Sequence, residues 1–225
     1  MSGVRIGILG GTLDPIHLGH IETALVARAA LALDRVVIMP SRVPPHRHTQ
    51  PVASRYHRFA MTALAVNGVE GLTASDVELC APGPSYTADT LERLHATGLA
   101  PAQIFFITGA DAFAEIETWS RYPQVLELSH FVVVSRPGHP AWGVRDRLPG
   151  LADRMLSAAT EGDQSSRPAI FLLDARTPDV SSTEIRRRLS AREPLTGLVP
   201  AAVEQHIAQH QLYPSSTADH LHGQN

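Results

Sequence analysis

Hydrophobic residues fall along this chain in two rhythms. Short, nearly unbroken apolar runs, rich in β-branched residues, occupy positions 4–9, 35–39, 103–108, 130–135 and 169–173. Runs of that length and density read as strands covered on both faces. Between them, apolar positions recur at helical spacing over 21–33, 56–66, 87–95, 122–128 and 151–160. Residues 72–79 read as a further strand. A last helix is expected from Pro200 or Ala201 to about Gln211, with Pro200 suited to its first turn. Strands alternating with helices predict an α/β fold: a parallel sheet flanked by helices, closed by a short C-terminal helical portion. Ligands of such folds collect beyond the carboxyl ends of the strands.

Composition narrows the setting. A chain of 225 residues suits one domain and buries roughly 70% of the surface its unfolded form exposes, so no disulfide or metal staple is required. We expect the domain to span 1–213, with the polar stretch 214–225 a disordered tail. The single cysteine, Cys80, cannot form an internal disulfide and points to a reducing compartment. The start, Met1-Ser2-Gly3-Val4-Arg5, lacks the features of a signal peptide, and no apolar run is long enough to cross a bilayer. Nineteen Lys and Arg against 22 Asp and Glu give a net charge of −3, which argues against general nucleic-acid binding. These readings together predict a cytoplasmic protein with no nucleic-acid or membrane partner, and leave a homo-oligomer open.

The richest chemistry lies in Gly10-Gly11-Thr12-Leu13-Asp14-Pro15-Ile16-His17-Leu18-Gly19-His20, between the first strand and the first helix. Unpaired N–H groups and the helix dipole make such a turn a natural anion site. His17 and His20, three residues apart, share a face of the first helical turn, and Gly19 lets a ligand approach the backbone. A plainer reading makes this a tight turn, with Asp14 as helix cap and Pro15 at the first helical position. Another makes it a metal site of His17, His20 and one of His46 or His48. That reading is weakened by the 12 histidines of the chain and by the tighter ligand sets zinc prefers. A second segment, Val180-Ser181-Ser182-Thr183-Glu184-Ile185-Arg186, reads as a capping box in which Glu184 reaches back to Ser181. It still offers N–H groups to an anion, with the charge of Arg186 one turn inside. Arg187 and Arg188 read as solvated, Arg188 beside Glu184 at i,i+4.

Together these segments resemble the two signature motifs, HxGH and SSTxIR, of the nucleotidylyltransferase superfamily, in the right order and separation. Five further segments resemble the bacterial nicotinate-nucleotide adenylyltransferase family: Pro44-Pro45-His46-Arg47, Pro84-Ser85-Tyr86-Thr87-Ala88-Asp89-Thr90-Leu91, Thr108-Gly109-Ala110-Asp111-Ala112, Thr118-Trp119 and Val134-Ser135-Arg136-Pro137-Gly138. The resemblance implies a Rossmann-like domain that transfers AMP from ATP to nicotinate mononucleotide, giving nicotinate adenine dinucleotide and pyrophosphate in NAD biosynthesis, with Mg²⁺ carried by the ATP phosphates. It implies catalytic roles for Thr12, His17, His20 and Arg186. ATP binding would involve these together with Gly10, Gly11, Gly109, Ser182 and Thr183. The acceptor would meet Arg47, Thr87, Asp111, Trp119, Ser120 and Arg136, with Thr87 and the Trp119 region around the ring and the Ser120 N–H on its carboxylate.

Each implied role has a plainer counterpart. Trp119 could be a core aromatic, Asp111 a helix cap, and Tyr86-Thr87 ordinary turn residues. The chain also departs from the family pattern. Leu13 replaces a frequent phenylalanine, Arg47 replaces a lysine with the same charge but another geometry, and Cys80-Ala81 falls where a basic residue is common. The alternatives are a sister enzyme using phosphopantetheine or nicotinamide mononucleotide, a nucleotide-sensing module, and a tRNA-synthetase-like role that the short length disfavours.

Overall fold

The computed structural model of the chain describes residues 3–45, 51–157 and 167–214. In chain order its main elements are β1 (Ile6–Gly11), α1 (Leu18–Ala30), β2 (Arg35–Pro40), α2 (Arg55–Val66), β3 (Leu72–Ala74), α3 (Val77–Cys80), α4 (Thr87–His95), β4 (Ile104–Gly109), α5 (Ala110–Phe113), β5 (His130–Val134), α6 (Gly143–Arg147), β6 (Met155–Ser157), β7 (Ile170–Leu173), α7 (Ser182–Ser190) and α8 (Ala201–Gln209). The strands form one sheet in the order β3-β2-β1-β4-β5-β7-β6, and every pairing is parallel. The α/β class expected from the apolar runs is the observed one.

Alternation within the strands explains the two-sided core. In β1, Ile6 and Ile8 face one cluster with Leu91, Phe113 and Val144 from α4, α5 and α6. Leu9 faces the other, with Ala24 of α1, Met61 of α2, Ile185 of α7 and Val203 of α8. Strand β5 divides the same way, Phe131 and Val133 to one side, Val132 and Val134 to the other. Every second residue is buried under a different helical layer, so the strand reads as a continuous apolar run. Strand order reverses between β1 and β4, and their carboxyl ends, Gly11 and Gly109, open onto the crevice that this reversal creates.

Three expected elements differ. The strand expected over 72–79 stops at Ala74, where the Ser75 hydroxyl accepts the N–H of Val77 (3.4 Å) and turns the chain into α3. The helix expected over 122–128 is a 3₁₀ turn, Gln124–Glu127, preceded by Arg121 at φ 62° and by Pro123, which has no N–H to give. The helix expected over 151–160 is a 3₁₀ segment, Pro149–Arg154, that runs into β6 at the sheet edge, where pairing with β7 satisfies its backbone; residues 158–160 lie outside the described residues.

Candidate active site

After Gly11 the chain leaves the sheet and re-enters regular structure at Leu18. Buried charge holds this turn. The Asp14 carboxylate, 1% exposed, accepts hydrogen bonds from the N–H groups of Val52 (2.8 Å) and Ala53 (3.1 Å) and from the Tyr213 hydroxyl (2.7 Å). Burial, then Asp14, push the Tyr213 phenol above its ordinary range, so it stays a donor. Arg58 of α2, equally buried, donates to the carbonyls of Thr12 (2.8 Å), Ser41 (2.6 Å) and Ala53 (3.3 Å). Charges can leave water only with partners of this kind. Asp14 is therefore not the helix cap: α1 begins three residues later than that reading requires, and His17 takes the cap position.

His17 and His20 lie together as expected, with ring centroids 3.7 Å apart, and the His20 Nδ1 accepts the N–H of His17 (3.2 Å). A Cβ on Gly19 would lie 3.0 Å from His17 Nδ1, so the bare glycine makes room for the folded-back imidazole. Burial first, then Arg136, lowers His17 to about 3. Burial, then His17 and Arg136, holds His20 well below the usual histidine range. Both rings are neutral at pH 7 and serve as hydrogen-bonding groups rather than cations.

Two cavities flank this turn. The first, about 280 Å³, is lined by Gly10, Gly11, Thr12, Thr87, Trp119 and Ser120, with Ser41, Glu78, Ser85, Tyr86, Phe106 and Thr108 among the other walls. Trp119 stands edge-on to Phe106 (6.1 Å) and Phe131 (6.3 Å), so packing fixes its ring while leaving it partly open to the cavity. The second, about 160 Å³, is lined by His17, Gly19, Asp111, Arg136, His139 and Ser181, among others. Gly109, at the end of β4, packs against two of these residues: a Cβ there would collide with Asp111 Oδ1 and lie 2.9 Å from Arg136 Nε.

The second motif braces the first. Ser181 caps α7 by accepting the N–H of Glu184 (3.1 Å), as expected. Glu184 does not reach back; it pairs with Arg187 (2.8 Å) and Arg188 (2.9 Å), whose hydrogen bonds, Arg187 first, hold its carboxyl at about 2. The Ser182 hydroxyl donates to the Pro15 carbonyl (2.9 Å), and Arg186 donates to the Asp14 carbonyl (2.6 Å) and the Thr183 hydroxyl (3.3 Å). Ser182, Thr183 and Arg186 line neither of the two cavities, whereas the other implied site residues within the described segments line them, apart from Gly109, which packs against Asp111 and Arg136, and His20, which stacks on His17. Arg47 lies outside the described residues, as do His46 and His48. Among the described residues no group of three or more His, Cys, Asp or Glu is arranged to hold a metal ion. The sequence reading missed Arg58, Glu78 and Tyr213, whose partners are distant in the chain, and Ser41 and His139, which stand in loops without a periodic signal.

Residues 8–188 match the cytidylyltransferase-like family. A probable nicotinate-nucleotide adenylyltransferase of Desulfatibacillum aliphaticivorans is 38% identical over 224 residues, covering 93% of this chain and all of the relative. One from Roseiflexus sp. is 40% identical, covering 95% of this chain and again all of the relative. The chain belongs to the nicotinate-nucleotide adenylyltransferase family. The fold agrees: the Plasmodium falciparum nicotinic acid mononucleotide adenylyltransferase complexed with NaAD superposes with a TM-score of 0.73 at 16% identity, covering 94% of this chain and 98% of that one. No described helix is long and apolar enough to cross a membrane.

Proposed function

We propose the following division of labour for this chain within its family's reaction, the transfer of AMP from ATP to nicotinate mononucleotide. The first cavity takes the acceptor, its ring against Trp119 and its carboxylate toward the N–H groups of Ser120 and the first turn of α4. The second cavity, with Arg136 and the neutral His17, takes the phosphate chain of ATP. The observation that carries this reading is that one turn lines both cavities, Gly10 to Thr12 the first and His17 and Gly19 the second, so that two ligands would meet at it.

The acceptor phosphate is already ionised and is itself the nucleophile. Its oxygen attacks the α-phosphorus in line, the bond from that phosphorus to the bridging oxygen breaks, and pyrophosphate leaves with the electron pair. No protein nucleophile is needed, and catalysis consists of positioning and stabilising developing charge. Thr12, His17 and His20 supply hydrogen bonds at the turn, and Arg186 holds the Asp14 carbonyl and lends positive charge from behind. Asp111, beside Gly109, is placed for a ribose hydroxyl. Mg²⁺ carried by the ATP phosphates would neutralise charge there. The exposed free thiol of Cys80 fits a reducing, cytoplasmic setting.

The test is pyrophosphate release from ATP with nicotinate mononucleotide, nicotinamide mononucleotide and phosphopantetheine offered in parallel. Release with the first, well above the other two, is expected. Preferential use of phosphopantetheine would overturn the acceptor assignment.

A further inference from the structure

One carboxylate in the first cavity has no role in the reaction as described. Glu78 of α3 is 5% exposed, yet it lines the cavity and is the one charged side chain among the described lining residues. Its Oε1 accepts the Thr90 hydroxyl (2.8 Å), and Ser85 lines the same cavity. Ser85 is itself held from the β2 side: its Oγ accepts the N–H of Arg42 (2.8 Å), and its own N–H donates to the Val43 carbonyl (2.9 Å). Residues 85 and 90 bracket Thr87, the first residue of α4. The cap position, Tyr86, contributes no side-chain hydrogen bond there, so the first-turn N–H groups of α4 have no side-chain partner at their cap.

We infer that Glu78 is a positioning residue for the acceptor: by accepting from Thr90 it fixes the first turn of α4, and with it Thr87, against the acceptor ring. The inference rests on the assignment of this cavity to the acceptor. Its logic is geometric. Ser85, tied to Arg42 and Val43, holds the chain just before Thr87 from the β2 side, and the bond from Thr90 to Glu78 holds the turn just after it from α3. Without Glu78 only the first of these anchors remains. Burial raises the Glu78 carboxyl above its ordinary value, and hydrogen bonding works against that rise. An ionised carboxylate can accept the Thr90 hydroxyl with either oxygen, whereas an amide offers one oxygen and a donor group in its place.

The experiment compares steady-state kinetics of the wild type with Glu78→Ala, Glu78→Gln, Ser85→Ala and Thr90→Val, each with a thermal-melting control. Glu78→Ala should raise the acceptor KM roughly tenfold or more, with the ATP KM within about twofold, because a buried donor loses its partner on the acceptor side only. Glu78→Gln should restore part of the loss. Ser85→Ala and Thr90→Val should each raise the acceptor KM by less, and adding Thr90→Val to Glu78→Ala should cost little more than Glu78→Ala alone, since both break one contact. Parallel rises in both KM values that track lost melting temperature, or an unchanged acceptor KM in Glu78→Ala, would overturn the inference. Should Glu78→Ala fail to fold, the selectivity of Ser85→Ala and Thr90→Val decides. A wild type that ignores nicotinate mononucleotide would sink the acceptor assignment instead, and the same variants would then be compared with the acceptor that does release pyrophosphate.

Discussion

Arg186 Nη1 donates to the main-chain carbonyl of Asp14 at 2.6 Å, joining the helix of the second motif to the turn of the first. Its guanidinium also lies 4.0 Å from the Asp14 carboxylate, which is itself taken up by Tyr213 and by two backbone N–H groups. The arginine is thus both a strut and a source of positive charge. Arg186→Ala should lower ATP and pyrophosphate affinity roughly tenfold, and should cost about 1–3 kcal/mol of stability through the orphaned carbonyl. Equilibrium binding and chemical denaturation separate the two effects. A stability loss with unchanged affinity for both ligands would leave Arg186 a strut alone.

His17 makes a pH-dependent contribution whose sign is fixed. Its folded-state value, about 3, lies below the ordinary 6.5, so the unfolded chain takes up a proton first as pH falls. The stability from keeping it neutral is complete above pH 6.5 and drains away between 6.5 and 3, at about 1.4 kcal/mol per pH unit. His17→Gln should flatten that part of the pH–stability curve. Equal slopes for both proteins between pH 6 and 4 would contradict the burial argument.

His20→Ala should lower kcat far more than it raises the acceptor KM, because its hydrogen bonds meet charge that develops only during transfer. Single-turnover rates at saturating substrates check this. Near-normal turnover would remove His20 from the catalytic set and leave it as the partner that holds the His17 backbone.

Gly109→Ala puts a methyl group against Asp111 and Arg136, both lining the second cavity. Overpacking of this kind costs about 1–3 kcal/mol when the neighbours cannot yield. Here the side chains can yield, and what suffers is their aim. The expected result is a kcat/KM loss larger than the melting shift would suggest, read from kinetics and a thermal melt on the same preparation.

The acceptor ring supplies a further test. A nicotinate carboxylate accepts the N–H groups proposed for its pocket, whereas a carboxamide would turn its own NH₂ toward them, at a cost of about 1–3 kcal/mol per mismatched group. Nicotinate mononucleotide should be preferred over nicotinamide mononucleotide by roughly tenfold to a hundredfold in kcat/KM. Trp119→Ala should damage acceptor use while sparing ATP binding. Equal efficiency with both acceptors would remove the carboxylate pocket and leave the adenylyl-transfer site standing.

What could be read from sequence, and what could not, divides along chain distance. The five long apolar runs became β1, β2, β4, β5 and β7 because burial on both faces leaves an unmistakable local mark. Helix α4 was legible at both ends. His17 and His20 were legible as a pair, since three residues separate them. The plainer reading of Asp14 as a cap fails because a cap is only the local explanation of an aspartate before a helix; its partners stand 38, 39 and 199 residues away. Arg58 left no trace for the same reason: on an amphipathic helix an arginine reads as solvated, and only the tertiary structure shows it buried among carbonyls. Trp119 lay between these cases: the sequence could not tell a core aromatic from a cavity wall, and the structure packs its ring against Phe106 and Phe131 while it lines the first cavity.

The bond from Tyr213 to Asp14 has a consequence for how the protein is made. Synthesis runs from the N-terminus, so the turn after β1 leaves the ribosome almost two hundred residues before the hydroxyl that its aspartate binds. The central strands can pair early, but the site must wait with a carboxylate still seeking partners, and contacts of such long separation are slow to form. A nascent chain stalled short of its last helix would hold all seven strands and both cavity walls, yet lack the hydroxyl that completes the partners of Asp14. The last residues of the fold thus finish the turn at its beginning.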